Sequence, residues 1–179
     1  MRQNRPMNQQ PLLDFLNKHG IPYQLYEHQP VFTIEDEAVV TAIDGKPTSP
    51  GPLPKPRYKT LFLKDKNGQF FLVAVMEGKR VDLKELSNIL DCGRFSFGKP
   101  DKLMALLQLT PGSVTPYGIL FDGEKKVALV LDEDGLAHDT ISFHPMRNDM
   151  TLVTTPQNFL RCMELMEHEA HVLRIPTRE

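Results

Sequence analysis

The run Phe70-Phe71-Leu72-Val73-Ala74-Val75 is apolar at every position. A strand with one solvated face alternates apolar and polar residues; this one has no polar face, so both of its sides must be covered. It predicts a central strand with a packing layer on each side. Asn67-Gly68 stands just before it, and that dipeptide suits the backbone of a tight hairpin turn. Thr60–Lys64 then becomes the paired strand, and Gln69–Met76 the full extent of the central one. The chain has 179 residues, enough for one domain. A domain of that size buries about 70% of its unfolded surface and needs no staples.

The remaining segments add helices and short strands around that hairpin. Leu12, Leu13, Phe15 and Leu16 recur at helical spacing, so Pro11–His19 is predicted helical, with Gly20 as the stop. Tyr23–Glu27 reads as a short strand. Thr33, followed by Asp36 and Glu37, reads as the cap of a helix over Ile34–Ile43. Five prolines between Pro47 and Pro56 exclude both helix and central strand from 44–57, which is predicted to be an extended surface loop. Asp82 and Glu85 form an acidic cap before Leu83, Leu86, Ile89 and Leu90. Arg94–Phe97 is a brief strand, and Pro100 opens a helix running to Leu109. Tyr117–Phe121 and Val127–Asp132 are predicted to form a second hairpin around Asp122-Gly123. Thr140–His144 and Thr151–Thr154 are strands joined by a turn over Pro145–Asp149. Thr155 caps a helix begun by Pro156, and His171–Ile175 is a last strand. The expected fold is α/β of the α+β type: a mixed, mostly antiparallel sheet or open barrel flanked by helices. Residues 11–176 are expected to form the domain, behind a loose tail at 1–10.

Composition narrows the function classes. The formal net charge is -2, which argues against a protein that coats long nucleic acid by bulk electrostatics, though not against a local contact with an RNA end. No apolar run is long enough to span a membrane, and the polar N-terminus lacks the apolar core of a secretory signal. A cytoplasmic location is expected. Cys92 and Cys162 have no metal or redox spacing. His168 and His171 lack a well-placed acidic or cysteine partner, so they read as a helix end and a surface strand, and no metal is expected. No Walker or dinucleotide motif occurs, so no cofactor is expected.

Three stretches carry candidate chemistry. In Tyr58-Lys59-Thr60-Leu61-Phe62-Leu63 a lysine opens an apolar strand. In Thr110–Gly118, two prolines and two glycines fix or free the backbone around the small hydroxyls Ser113 and Thr115. In Ser142-Phe143-His144-Pro145-Met146-Arg147-Asn148 a histidine ends a strand, and an asparagine follows four residues later. Each stretch alone also fits an ordinary role: an edge lysine, a turn, a structural histidine.

Taken in order, these stretches resemble a known family. The chain resembles the free-standing aminoacyl-tRNA deacylases of the YbaK/ProRS-editing superfamily, and within it the ProXp-ala or PrdX-like group. The marks are Lys59–Asp65, Val81–Lys84, Leu109–Gly118 and Phe143–Asn148, and the likeness covers Pro11 to Arg174. The resemblance implies hydrolysis of the ester of mischarged tRNA, for this group Ala on tRNA(Pro), with tRNA as partner and prolyl-tRNA synthetase as a candidate one. Lys59 matches the family's strand lysine, and Gly112–Pro116 its GxxxP loop. His144 and Asn148 match its last pocket motif. Lys59, Gly112 and His144 are then the expected catalytic residues. Thr60, Ser113, Val114, Thr115, Pro116, Phe143 and Asn148 are the expected substrate contacts. One departure is Thr60, where the family usually has asparagine, and it bears on amino-acid specificity. The proline-rich 44–57 segment is another, longer than usual and placed just before the lysine. Three other readings stand beside this one: Ser113 as a nucleophile with His144 as base and an acid such as Asp149 as orienter, a sensor that binds charged tRNA or a proline-like ligand without turnover, and a deacylase of a different small amino acid (Cys, Ser or Thr).

Overall fold

The computed structural model describes residues 8–28, 30, 41–42 and 55–179. Among these, two sheets lie between four helices. The first sheet has the order β2 (Thr41–Ala42), β1 (Gln24–Glu27), β8 (Met150–Thr154), β7 (Ile141–Phe143), and the second β5 (Phe95–Phe97), β3 (Tyr58–Asp65), β4 (Phe70–Met76), β6 (Val127–Asp132), β9 (Ala170–Leu173). Five strand pairings are antiparallel (β1 with β2, β1 with β8, β3 with β4, β3 with β5, β7 with β8) and two are parallel (β4 with β6, β6 with β9). The mixed, mostly antiparallel architecture with flanking helices is as expected; neither sheet closes into a barrel.

The apolar run sits where its composition demands. Strand β4, Phe70–Met76, pairs antiparallel with β3, Tyr58–Asp65, and on its other edge parallel with β6, Val127–Asp132. Its two faces feed two separate cores. Leu72 and Ala74 join Leu129, Leu131, Tyr117, Phe143 and Phe159 on one side. Phe71, Val73 and Val75 join Leu63, Leu86, Val130 and Ile175 on the other. The turn between β3 and β4 has Gly68 at φ 94°, and the Gly68 amide donates to the Asp65 carbonyl at 3.1 Å. The Asp65 carboxylate, 4% exposed, holds the turn shut by accepting from the amides of Asn67 and Gln69, and it also accepts from the Gly93 amide at 3.0 Å.

Helix starts follow their sequence signals. In α2, Leu83–Ile89, the Asp82 carboxylate accepts from the amides of Lys84 and Glu85. Helix α3, Pro100–Leu107, begins at its proline, and α4, Pro156–Leu165, is capped by Thr155. Helix α1 spans Gln10–Lys18 and buries Leu12 and Leu16. Strand β5, Phe95–Phe97, forms one edge of the larger sheet, and β9, Ala170–Leu173, the other. In the smaller sheet β1 is Gln24–Glu27, β7 is Ile141–Phe143 and β8 is Met150–Thr154.

Two expectations fail. Tyr117–Phe121 is no strand: Pro116–Phe121 forms a 3-10 helix whose cap, the Thr115 hydroxyl, accepts from the Tyr117 amide. Pro116 suits a first helical turn, and Tyr117, Gly118 and Ile119 are all buried, which one alternating face does not allow. The second hairpin therefore does not form. The Asp122 carboxylate instead accepts from the amides of Lys126 and Val127, launching β6 to pair parallel with β4 and β9. The helix predicted over Ile34–Ile43 lies mostly outside the described residues. Its described part, Thr41–Ala42, is strand β2, paired antiparallel with Tyr26 and Glu27. The proline-rich segment also lies outside them, except for Lys55–Arg57, as does the tail, except for Asn8–Gln10.

Candidate functional site

Phe143, the last residue of β7, is 4% exposed and touches three other rings. Tyr58 at the start of β3 lies 4.9 Å away, centroid to centroid, Phe159 of α4 lies 5.0 Å away, and Tyr117 lies 6.1 Å away edge-on. Three of these four rings, Tyr58, Tyr117 and Phe143, lie in the stretches singled out from the sequence. Tyr58 precedes Lys59 and Thr60, Tyr117 follows Pro116, and Phe143 precedes His144. The fold thus converges three distant segments on one aromatic cluster.

His144 is half-buried beyond that cluster. Its Nδ1 lies 2.7 Å from the Met150 carbonyl. A carbonyl only accepts, so Nδ1 donates, and in the neutral ring Nε2 is the acceptor. Burial pushes the imidazole below its ordinary value and the neighbouring His28 pushes the same way, against the opposing pull of the Met150 carbonyl and Asp149. The His144 ring is therefore held neutral. His28, 8% exposed, stands 6.0 Å from it, with Nε2 at 2.8 Å from the Thr151 hydroxyl. Sequence reasoning passed over His28. Its signal was a lone histidine just beyond a strand, the same position His144 occupies beyond β7.

Asp149 does not serve His144 as an orienter. It takes a two-pronged ion pair from Arg147, at 2.8 and 2.6 Å. Among the described residues no hydrogen bond joins Ser113 to His144, so a Ser113-His144-Asp149 relay is not assembled. Asn148 is half-buried in the same turn. Met146, in that turn too, adopts φ 70° and is 2% exposed, so its buried side chain anchors a left-handed backbone position that non-glycine residues rarely take.

The Thr110–Gly118 segment is two short 3-10 helices, Pro111–Ser113 and Pro116–Phe121. Ser113, Thr115 and Pro116 are buried, Val114 is half-buried and Gly112 is exposed. Gly118 is required by close packing: a Cβ there would meet the Leu109 side chain at 2.6 Å.

Lys59 is placed differently from the rest. Strand alternation puts Tyr58, Thr60 and Phe62 on the face that carries Phe143, and Lys59, Leu61 and Leu63 on the opposite face. In register, Lys59 lies across from Val75 and Thr60 across from Ala74. The Lys59 ammonium donates to the Lys79 carbonyl at 2.5 Å. Its pKa is lowered by burial, against the pull of Glu77. Thr60, not Lys59, therefore shares a face with the aromatic cluster.

His168 also departs from expectation. It is 7% exposed and its Nε2 lies 3.0 Å from a carboxylate oxygen of Asp122, so it has a buried acidic partner 46 positions away. His171 is exposed on β9. Among the described residues no helix is long and apolar enough to cross a membrane.

The aminoacyl-tRNA editing domain matches residues 28–162. A prolyl-tRNA synthetase associated domain-containing protein 1 from Danio rerio is 33% identical over 165 residues, covering 90% of this chain and 84% of that one. The prolyl-tRNA editing protein ProX of Acetoanaerobium sticklandii is 33% identical over 147 residues, covering 80% and 83%. Among solved structures, the hypothetical protein APE2540 superposes with a TM-score of 0.67 at 16% identity, over 92% of this chain and 97% of that one. A proposed trans-editing enzyme for prolyl tRNA synthetase gives 0.54 at 18% identity, over 69% and 71%. Those two show the shared fold. The matched span covers most of the chain, and the chain belongs to the aminoacyl-tRNA editing domain family, the YbaK/ProRS-editing superfamily.

Proposed function

We propose that the protein is a trans-editing deacylase that hydrolyses the ester of mischarged tRNA, with Ala-tRNA(Pro) as its substrate. The observation that carries this reading is the convergence of β3, the Thr110–Gly118 segment and the end of β7 on Phe143. A synthetase site that accepts proline rejects alanine poorly, because missing methylenes are worth only about 1–3 kcal/mol. A second, smaller site sorts by size instead. Stiff walls suit that task, and Pro111, Pro116 and the buried ring cluster supply them.

An activated ester needs a placed water and a stabilised oxyanion rather than a covalent nucleophile. The water oxygen bonds to the ester carbonyl carbon, the C–O bond to the ribose oxygen breaks, and a water proton passes to that oxygen, which leaves the free amino acid and a tRNA with its terminal hydroxyl restored. The neutral His144 ring, with Nε2 as acceptor, orients substrate or water. Backbone groups near Gly112 position the α-amine or the water, and the substrate's 2′-hydroxyl assists. Lys59 holds the terminal phosphate or adenosine as a point charge, with the N–H donors that the Lys79 carbonyl does not take. Thr60, in place of the usual asparagine, contacts the amino acid.

Lys59→Ala tests this directly. It is expected to lower single-turnover deacylation of Ala-tRNA(Pro) by a factor on the order of 100 or more, as loss of a charge-stabilising group does, with the circular dichroism spectrum unchanged. Full activity in that variant sinks the assignment. The engagement of Lys59 by Lys79 also fits a second reading, a sensor that binds charged tRNA without turnover, which a deacylation assay separates from the first.

A further inference from the structure

Strands β4, β6 and β9 run parallel, so their carboxyl ends share one edge of the larger sheet. The segments that follow them enclose a cleft of about 380 Å³. Lys79 and Arg80 come from the first, Asp134 from the second, and Arg174 and Arg178 from the third. The last segment is fixed in place by backbone bonds: the Arg178 amide donates to the Arg80 carbonyl, and the Asp82 amide to the Pro176 carbonyl, both at 2.9 Å.

The cations of this cleft are unequally committed. Lys79 is held by Asp132 at 2.9 Å and Asp134 at 2.6 Å. Arg178 has a long contact with Asp82, at 3.9 Å, and its side chain is 61% exposed. Arg80 and Arg174 are exposed, and among the described residues neither comes within 4.0 Å of a carboxylate, although Arg174 acts on Asp134 across the cleft. A chain of net charge -2 therefore gathers three loosely held guanidinium groups over one cleft. Guanidinium groups match phosphate oxygens two at a time and are weakly hydrated, so they favour phosphate over a lone carboxylate. The cleft also borders the candidate site, because its Lys79 carbonyl holds the Lys59 ammonium at 2.5 Å.

We infer that this cleft binds the phosphate backbone of the tRNA acceptor end, with Arg80, Arg174 and Arg178 as the contacting cations. The inference rests on the deacylase reading for its choice of RNA. Three arginines on two separate segments span successive phosphates of one strand, which a single small anion does not need. Lys59 is the candidate-site residue that touches this cleft, through the Lys79 carbonyl.

The test uses the full chain and two readouts. Binding of uncharged tRNA(Pro) is followed by fluorescence anisotropy across a salt series, and deacylation of charged tRNA by steady-state kinetics. Arg80→Glu and Arg174→Glu are each expected to weaken tRNA binding about tenfold, the scale of a charge-assisted contact, and to reduce the salt slope by about one phosphate. In kinetics they raise KM and leave kcat unchanged. A control pair, Lys18→Glu with Lys66→Glu, alters two exposed lysines of α1 and the β3–β4 turn and is expected to change binding less than twofold. Arg80→Gln, with its smaller perturbation, repeats the measurement if a reversal fails to fold. Unchanged affinity and salt slope in both arginine variants overturn the inference while leaving the deacylase reading intact. Arginine-dependent tRNA binding without turnover of any charged tRNA does the reverse. Competition by inorganic phosphate for the cleft, with tRNA binding indifferent to the arginines, marks a small-anion site and also overturns the inference.

Discussion

His144 shows how one backbone contact sets a side chain's chemistry. The Met150 carbonyl at 2.7 Å fixes the proton on Nδ1, and burial keeps the ring neutral. The linkage has a definite sign. The folded pKa lies below the ordinary 6.5, so the unfolded chain takes up this proton first as pH falls. The contribution to stability is complete above about pH 6.5 and declines as pH drops below it, until the folded pKa is passed. His144→Asn keeps an N–H donor and removes the titration. Thermal unfolding between pH 5 and 7.5 is expected to show a shallower acid loss of Tm in that variant than in the wild type. Parallel curves contradict the neutral-ring account. Much of this was invisible in the chain: a histidine stopped by a proline marks a strand end, but the carbonyl it meets belongs to the next strand. Lys59 shows the complementary limit. The alternation along β3 was legible, yet which face meets Phe143 depends on how β7 packs, and Phe143 lies 84 positions from Lys59.

Elements whose evidence is local were legible, and those chosen by distant partners were not. The β3–β4 hairpin follows from Asn67-Gly68 beside an apolar run, and α2 and α4 start at the residues that cap them. Strand β6 was found, but its parallel pairing was not, because nothing in Val127–Asp132 says which edge it joins. The 3-10 helix at Pro116–Phe121 was mistaken for a strand because short apolar runs carry both periods. Its correct reading brings Tyr117 against Phe143. The other side of that cluster is just as tight. A Cβ at Gly135 would meet the Tyr58 hydroxyl at 1.5 Å and ring carbons at 2.3 and 2.6 Å. Tyr58 cannot retreat freely, since the tilted Phe143 ring packs against it at 4.9 Å. Gly135→Ala is therefore expected to cost about 1–3 kcal/mol by overpacking. The Tyr58 hydroxyl is buried with no hydrogen-bond partner, so Tyr58→Phe is expected to be neutral or stabilising. Urea denaturation checks both. A destabilised Tyr58→Phe alongside a tolerant Gly135→Ala contradicts this packing.

At the scale of the whole molecule, the larger sheet divides its labour between two faces and one edge. One face carries the aromatic cluster, and the other packs the second apolar core, with Lys59 and the buried Asp65 on the same side of β3. At the edge where β4, β6 and β9 end, cations from separate segments meet. The net charge of -2 concealed that edge, because Arg80 and Arg174 are 94 positions apart in the chain. The family resemblance was legible through four motifs in order, while the amino acid removed is a property of pocket dimensions that no motif states. The most direct test of the deacylase reading is therefore a deacylation panel with tRNA carrying Ala, Pro, Cys, Ser or Thr, run with the purified protein. The account predicts rapid hydrolysis of Ala-tRNA(Pro), with Pro-tRNA(Pro) spared. Turnover of none of the charged tRNAs contradicts it and makes the protein a sensor.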